Sequence, residues 1–129
     1  MPAMTKHRGG IAAATVAIVE RGGYASASGR TVDIADAVRL AVAGTRLYLP
    51  EAPLPAGTAA PGPGRVEVTN ESSLAATRRL HAGGRQEAVA CLNFASAKNP
   101  GGGFLRGADA QEESLARASA LYACLRAGP

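Results

Sequence analysis

The stretch Asn99-Pro-Gly-Gly-Gly-Phe-Leu-Arg-Gly-Ala-Asp-Ala-Gln-Glu-Glu113 decides how this chain of 129 residues is interpreted. The three glycines Gly101–Gly103 lack Cβ atoms, so their backbone can adopt positive φ and a ligand can approach it closely. Gln111, Glu112 and Glu113 then open a predicted helix, and the two carboxylates face whatever the loop holds. The stretch therefore predicts a binding loop coupled to an acid/base group.

Two familiar kinds of glycine loop do not fit this stretch. A P-loop requires a lysine and a hydroxyl residue after its last glycine, and the dinucleotide fingerprint requires spaced glycines. A flexible surface loop remains an alternative for the glycines, and the glutamates can serve only to complement the helix dipole. That dipole lowers the pKa of a nearby carboxyl. A glutamate that acts as an acid near neutral pH therefore needs burial, a neighbouring carboxylate or an anionic ligand.

The second half of the chain alternates between strand and helix signals. Arg65–Thr69 alternates as a strand, Asn70–Ala82 predicts a helix capped by its asparagine, and Glu87–Phe94 predicts a strand covered on both faces. A helix from about 109 to 125 follows the glycine loop. This order predicts an α/β fold with the site at the carboxyl end of a parallel strand.

The first half is expected to be an accessory segment. Residues 9–21 predict a helix, and Asp33 can cap a second one that ends at Gly44. Tyr24–Arg30 is expected to be extended with a turn at Gly29, and Arg46–Leu49 is a short strand candidate.

A proline-rich segment divides the two halves. Pro50–Gly64 holds five of the eight prolines and predicts a linker. We therefore divide the chain into residues 1–64, an N-terminal accessory segment that ends in this linker, and residues 65–129, the first part of the catalytic domain.

Composition limits the class of protein. The chain is 47% hydrophobic and 19% charged with a net charge of +4, which suits a globular protein. An aromatic content of 4% without tryptophan argues against a stacking surface for nucleic acid, and no apolar run reaches membrane-span length. Cys91 and Cys124 lack metal-ligand spacing and are expected to be reduced thiols in the cytoplasm. We expect no cofactor, no metal, no nucleic acid and no membrane partner.

The residues around the glycine loop carry a family resemblance. Asn93-Phe-Ala-Ser-Ala-Lys-Asn-Pro-Gly-Gly-Gly-Phe104 with Gln111-Glu-Glu-Ser-Leu-Ala-Arg117 resembles the signature of microbial-type poly(ADP-ribose) glycohydrolases, a branch of the macrodomain fold. The upstream segments Gly29–Asp33, Gly44–Tyr48 and Val68–Leu74 resemble the same family. The resemblance implies a three-layer α/β/α sandwich with a mixed, mainly parallel sheet. It also implies a truncated domain, because the family's second glycine loop and adenine-stacking aromatic have no counterpart here.

The resemblance also implies an activity and its residues. Members of the family hydrolyse the ribose–ribose O-glycosidic bond of ADP-ribose polymers, so ADP-ribose, its polymers or ADP-ribosylated proteins are the expected partners. Glu113 would protonate the departing ribose oxygen and then activate water, while Glu112 and Gln111 would orient ribose hydroxyls. Gly101–Gly103 would approach the ligand through backbone N–H groups, and Asn93 or Asn99 would contact the distal ribose.

Several alternatives stay open at this stage. Phe104 is expected either to cover the sugar or to anchor the loop. Arg106 is expected either to approach a diphosphate or to be solvated. The chain is a glycohydrolase or a fragment of one, an ADP-ribose-binding module without turnover, or an inactive truncated remnant. An intact Glu112–Glu113 pair favours the first of these three.

Overall fold

The structure is a computed structural model that describes residues 2–53, 62, 64–83 and 88–127. It contains two compact units, one spanning Met1–Arg46 with Leu92–Pro129 and the other spanning Leu47–Cys91. The division at residue 64 stays a prediction, but the contacts place the N-terminal helices in the same unit as the glycine loop. Residues 2–46 therefore belong to the same compact unit as the candidate site.

The described elements are mostly short helices. The larger unit contains, in chain order, helix α1 (Pro2–Arg21), strands β1 (Gly23–Ala25) and β2 (Thr31–Asp33), helix α2 (Ala35–Gly44), a 3₁₀ turn (Phe104–Arg106), helix α4 (Gln111–Ala118) and helix α5 (Leu121–Arg126). The smaller unit contains helix α3 (Ser73–Ala82).

Glycines end the first helix and turn the hairpin as expected. Gly22 has φ +77° and donates its N–H to the carbonyl oxygen of Ile18 at 3.0 Å, which stops α1. Strands β1 and β2 pair antiparallel with Tyr24 opposite Val32, and Gly29 at φ +78° makes the turn between them. The predicted helix at 9–21 is correct at its C-terminus, and α1 begins earlier, at Pro2.

Side-chain hydrogen bonds support the starts of the next two helices. The carboxylate of Asp33 accepts the N–H of Ala35 at 2.9 Å, but Ile34 is the N-cap of α2, so the predicted cap lies one residue too early. The predicted cap of α3 is wrong by two residues, because Ser72 and not Asn70 accepts a helix N–H. Its hydroxyl oxygen lies 3.2 Å from the N–H nitrogen of Ala75.

Three predicted strands are wrong in the described residues. Residues 46–49, 65–69 and 88–94 have no regular secondary structure, and Glu87 lies outside the described residues. In this part of the chain the single ladder is the hairpin of β1 and β2, which is not a parallel sheet. A strand forms only where a neighbouring strand completes a ladder of N–H and C=O groups, and among the described residues no ladder forms beside these segments. Val66 and Val68 are accordingly 90% and 93% exposed.

Two further predictions concern the linker and the last helix. Most of the predicted linker at 50–64 lies outside the described residues, since 54–61 and 63 are not described. The predicted helix from about 109 to 125 is two helices, α4 and α5, because Ser119 has an extended backbone at φ −153°. The Ser119 hydroxyl donates to the Leu115 carbonyl and accepts the N–H of Leu121, so it satisfies groups on both sides of the break.

A small core joins α1, the 3₁₀ turn and α4. Phe104 is 1% exposed, and its ring meets the ring of Tyr122 edge-on with centroids 4.8 Å apart. Ala12 and Ala116 are fully buried against it, with Val16 partly buried beside them. Burying a phenylalanine side chain contributes about 1.5–3 kcal/mol, which makes Phe104 the main apolar anchor of the glycine loop.

Polar contacts hold α1 against the start of α4. Asp109 accepts the guanidinium of Arg8 at 2.6 Å and that of Arg117 at 2.5 Å. The hydroxyl of Thr15 donates to the carbonyl oxygen of Arg117 at 2.7 Å. These contacts position the N-terminus of α4 from the side of α1. In the described ranges, no helix combines the length and apolar character needed to cross a membrane.

Candidate active site

The glycine loop adopts the backbone that only glycine takes readily. Gly101 and Gly102 have φ values of +72° and +59°, as the sequence predicts. A Cβ atom on Gly102 would collide with the carboxylate oxygen Oε1 of Glu113 and lie 3.2 Å from Oε2 of Glu112. The missing side chain therefore makes room for the protein's own carboxylates.

The loop N–H groups already donate within the protein. Gly101 donates to Glu112 Oε1 at 3.1 Å and Gly103 donates to Glu113 Oε1 at 2.9 Å. Gly102 donates to the carbonyl oxygen of Asn99 at 2.8 Å. These N–H groups therefore fix the loop within the protein, and those of Gly101 and Gly103 join it to the start of α4. Their approach to a ligand stays a prediction.

Glu112 closes the loop from inside. Its side chain is 4% exposed, and its second carboxylate oxygen accepts the N–H of Ser96 at 2.7 Å. The side-chain amide of Asn93 approaches its first oxygen at 3.5 Å. Because donors from residues 93–101 converge on one carboxylate, Glu112 holds both ends of this segment together. A role of Glu112 toward ribose hydroxyls stays a prediction.

The side chain of Gln111 binds backbone groups of the segment before the loop. Its Oε1 accepts the N–H of Phe94 at 3.0 Å, and its Nε2 donates to the carbonyl oxygen of Leu92 at 2.8 Å. The side-chain amide thus bonds residues 92–94 much as a neighbouring strand would. Its predicted contact with ribose stays a prediction that would require exchange of these bonds.

Glu113 is held as a carboxylate. Its side chain is 9% exposed, and the hydrogen bond from the Gly103 N–H lowers its pKa below the ordinary value of 4.5. Burial acts in the opposite direction, while the backbone N–H groups of Glu113 and Ala110 and the charge of Arg117 lower the pKa further. Near neutral pH this group is therefore charged, which suits a base or a charge stabiliser, and it lies next to the backbone of Gly102.

The lowered pKa predicts how stability changes in acid. A depressed native pKa contributes stability above the unfolded value of about 4.5 and loses it as the pH falls through the lower native value. As the pH falls below about 4.5, we expect the free energy of unfolding of the wild-type chain to fall more steeply than that of Glu113→Gln. Denaturant unfolding at a series of acidic pH values measures both slopes. Parallel curves would contradict the hydrogen bond from Gly103.

The remaining predicted residues separate into different places. Asn93 lies beside Glu112, and its Oδ1 is buried without a hydrogen-bond partner in the described residues. Asn99 is exposed and uses its carbonyl oxygen within the loop. Phe104 is buried in the core, so the structure places it as the loop anchor and not on the surface of a cleft.

One contributor was missed from the sequence. Ser96 donates its N–H to Glu112, and its hydroxyl oxygen accepts the N–H of Asn99 at 3.2 Å. The signal was present, since a serine hydroxyl in a loop often accepts backbone N–H groups a few residues further on. Among the described residues, no group of three or more His, Cys, Asp or Glu side chains could hold a metal ion.

The fold and the site together define a class. This is an α/β protein in which a glycine loop is fastened to two buried glutamates at the start of a helix, an arrangement suited to acid/base chemistry on a ligand. The chain belongs to the family described as microbial-type PARG, catalytic domain, which it matches over residues 12–129.

Solved structures of one bacterial enzyme are similar to this chain. Poly(ADP-ribose) glycohydrolase (PARG) from Thermomonospora curvata is 56% identical with a TM-score of 0.83, over 95% of this chain and 46% of that one. The same enzyme bound to the inhibitor ADP-HPD is 55% identical with a TM-score of 0.81, and this chain spans 44% of it. A mutant with one glutamate replaced by alanine has a TM-score of 0.82.

These similarities establish the macrodomain-like fold of this branch over nearly the whole chain. The chain spans less than half the length of the solved relatives. No curated protein matches the sequence.

Proposed function

We propose that this chain provides part of the catalytic site of a poly(ADP-ribose) glycohydrolase, which hydrolyses the ribose–ribose O-glycosidic bond and releases ADP-ribose. One observation carries the proposal: the nearly buried carboxylate of Glu113 meets a glycine loop at the position where a Cβ atom on Gly102 would collide with it. The 55% identity to the ADP-HPD-bound enzyme supports an ADP-ribose-type ligand. ADP-ribosylated proteins are the other proposed partner. We place the activity in the cytoplasm and propose no nucleic-acid or membrane partner.

In the proposed mechanism Glu113 changes its protonation state during the reaction. The protonated carboxyl gives its hydrogen to the departing ribose oxygen as the glycosidic bond breaks. The resulting carboxylate then takes a proton from the water that attacks the ribose carbon, which restores the acid. The substrate must first raise the pKa of Glu113. Expulsion of water and the negative charge of the diphosphate both act in that direction.

The neighbouring residues take positioning roles in this proposal. Glu112 keeps the loop closed, because it accepts the N–H groups of Ser96 and Gly101. Gly102 allows the sugar and the carboxylate of Glu113 to approach one another closely. Asn93 is the better of the two asparagines for the distal ribose, since it lies beside Glu112 and its Oδ1 gains a partner if a hydroxyl enters.

The finer architecture belongs to the same proposal. We propose a three-layer α/β/α sandwich with a mixed, mainly parallel sheet for the domain as it occurs in the longer relatives. The apolar segments at 65–69 and 88–94 would become strands by pairing with neighbouring strands of that sheet. The exposure of Val68 and Leu92, at 93% and 74%, supports this assignment.

A second candidate function is an ADP-ribose-binding module without turnover. It is favoured by the lowered pKa of Glu113, which works against an acid near neutral pH. Two measurements separate the candidates: release of ADP-ribose from the polymer, and calorimetric titration with ADP-ribose. Release of ADP-ribose supports the glycohydrolase, and binding without release supports the module. If the chain shows no release and no binding, both candidates are contradicted.

The pH profile of the reaction tests the acid role directly. Because kcat/KM reports the free enzyme, we expect it to fall tenfold per pH unit above the lowered pKa of Glu113. The kcat profile reports the complex, and its descending limb should lie at higher pH because the substrate raises that pKa. Initial rates of ADP-ribose release across the pH range give both profiles. A kcat/KM that rises to a plateau with pH would mean that Glu113 acts as a base.

A further inference from the structure

The side chain of Arg117 is nearly buried between helix α4 and the segment that precedes this helix. It is 11% exposed, and its Nη1 donates to the carbonyl oxygen of Ala108 at 2.5 Å. Its Nη2 donates to the carboxylate oxygen Oδ1 of Asp109, also at 2.5 Å. An arginine is seldom buried to this extent unless its charge is paired. The guanidinium therefore binds two successive residues of the segment that joins the 3₁₀ turn to α4.

These bonds belong to a closed ring that includes the carboxylate of Glu113. Ala108 donates its N–H to the carbonyl oxygen of Gly103 at 3.2 Å. Gly103 donates its own N–H to Glu113 Oε1 at 2.9 Å. Glu113 and Arg117 lie about one helical turn apart on α4. The helix therefore completes the ring, and Arg117 keeps the glycine loop against the helix that carries Glu113.

Two further contacts support the ring. Asp109 also accepts the guanidinium of Arg8, with 2.6 Å between Nη2 and Oδ2, so helix α1 holds the same segment. A Cβ atom on Gly103 would lie 2.8 Å from the Cβ of Ala108, so the loop and the segment touch without room for another side chain. A shift of Ala108 would therefore move Gly103 and the hydrogen bond that it donates to Glu113.

Arginine suits this position better than lysine. Its planar fork donates in two fixed directions, whereas a lysine presents one compact ammonium group. Its charge also acts on Glu113: the hydrogen bond from Gly103 lowers the pKa of that carboxyl most, and the charge of Arg117 lowers it further. We propose that Arg117 is a positioning residue that fixes the Gly103 N–H against the carboxylate of Glu113. Its effect on the reaction rests on the proposed function, in which Glu113 is the acid.

The amide signal of Gly103 tests this role without any turnover. Because its N–H donates to Glu113, its chemical shift in a ¹⁵N–¹H NMR spectrum should follow the protonation of that carboxyl. We expect Arg117→Met to move the midpoint of this titration to higher pH, since the carboxylate loses a nearby positive charge and the bond from Gly103 weakens. Arg117→Lys keeps the charge and loses the fork, so its midpoint should lie between those of the wild type and Arg117→Met. The other charged side chains bonded to the loop or to this segment are unchanged in both variants: Glu112, Asp109 and Arg8.

Two control variants separate positioning from loss of charge and loss of stability. Arg39→Met removes the same kind of side chain from an exposed ion pair on α2, in which Arg39 lies 3.2 Å from Asp36. Gly29→Ala lowers stability in the hairpin turn, where the new Cβ would meet nothing within 4 Å. Both should keep the wild-type midpoint. An unmoved midpoint in Arg117→Met, or an equal movement in Gly29→Ala, would reject the proposal. If Arg117→Met does not fold, the midpoint of Arg117→Lys decides in the same way.

Steady-state kinetics test the consequence for the reaction. We expect Arg117→Met to lower kcat for ADP-ribose release by about 10- to 100-fold with little change in KM, because small displacements of a catalytic group cost this much in rate. Arg117→Lys should recover part of kcat. A raised KM with unchanged kcat would mean that Arg117 holds the ligand and does not position Glu113. Absence of release by the wild-type chain, together with the expected NMR shifts, would reject the proposed function and leave the positioning role intact.

Discussion

Replacement of Glu113 by glutamine is expected to slow the release of ADP-ribose about 10²- to 10⁴-fold, the usual contribution of a positioned acid or base. The amide keeps the shape of the side chain, and its oxygen can still accept the N–H of Gly103, which lies 2.9 Å from the carboxylate. It has no acidic hydrogen to give to the departing ribose oxygen. Affinity for ADP-ribose should therefore change little, and initial rates with a calorimetric titration measure the two quantities separately.

A matched variant controls for the lost charge. Glu20→Gln makes the same chemical change at an exposed position near the end of α1. Both its rate and its affinity should match the wild type. Equal loss of rate and affinity in Glu113→Gln would show that the carboxylate mainly holds the ligand. An unchanged rate would remove Glu113 from the mechanism.

Gly102→Ala is expected to abolish most activity with a modest loss of stability. An alanine at φ +59° costs about 1–2 kcal/mol because its Cβ crowds the following carbonyl oxygen. In addition, that Cβ would overlap Oε1 of Glu113 and push the carboxylate from its place. A displacement of about 1 Å in a catalytic group can cost about 100-fold in rate, so we expect at least this loss. Denaturant unfolding and initial rates measure the two effects.

Gly29→Ala isolates the backbone part of this effect. Gly29 has a similar φ of +78° in the hairpin turn, and a Cβ there would meet nothing within 4 Å. Gly102→Ala should lose more stability than Gly29→Ala, because it also displaces the buried carboxylate of Glu113, and only Gly102→Ala should lose activity. Full activity in Gly102→Ala would mean that Glu113 adjusts without cost, which would contradict a pre-positioned acid.

The two glutamates illustrate how far a pattern can predict a site. Their position at the start of a helix after three glycines predicts a shared site, and Gly102 does lie against both carboxylates. The sequence could not predict how the two glutamates differ, because the difference depends on which hydrogen-bond donors each carboxylate meets. Glu112 meets the N–H groups of Ser96 and Gly101, whereas Glu113 meets that of Gly103.

The strand predictions show the opposite case. The apolar patterns of 65–69 and 88–94 are typical of strands, yet these segments have no regular structure in this chain. A helix satisfies its hydrogen bonds from within, as α3 and α4 do here. A strand depends on a partner that the local sequence does not contain. Phe104 was ambiguous for a similar reason, since its burial depends on Ala12 and Ala116, which are distant along the chain.

The sequence alone was therefore enough to predict local features: positive φ at Gly101 and Gly102, the glycine that ends α1 and the family itself. Folding in three dimensions settled the direction of the loop N–H groups, the burial of Phe104 and the lowered pKa of Glu113. The physical reason is range. Backbone preferences act over a few neighbouring residues, whereas burial and hydrogen bonding at this site join groups that only packing brings together.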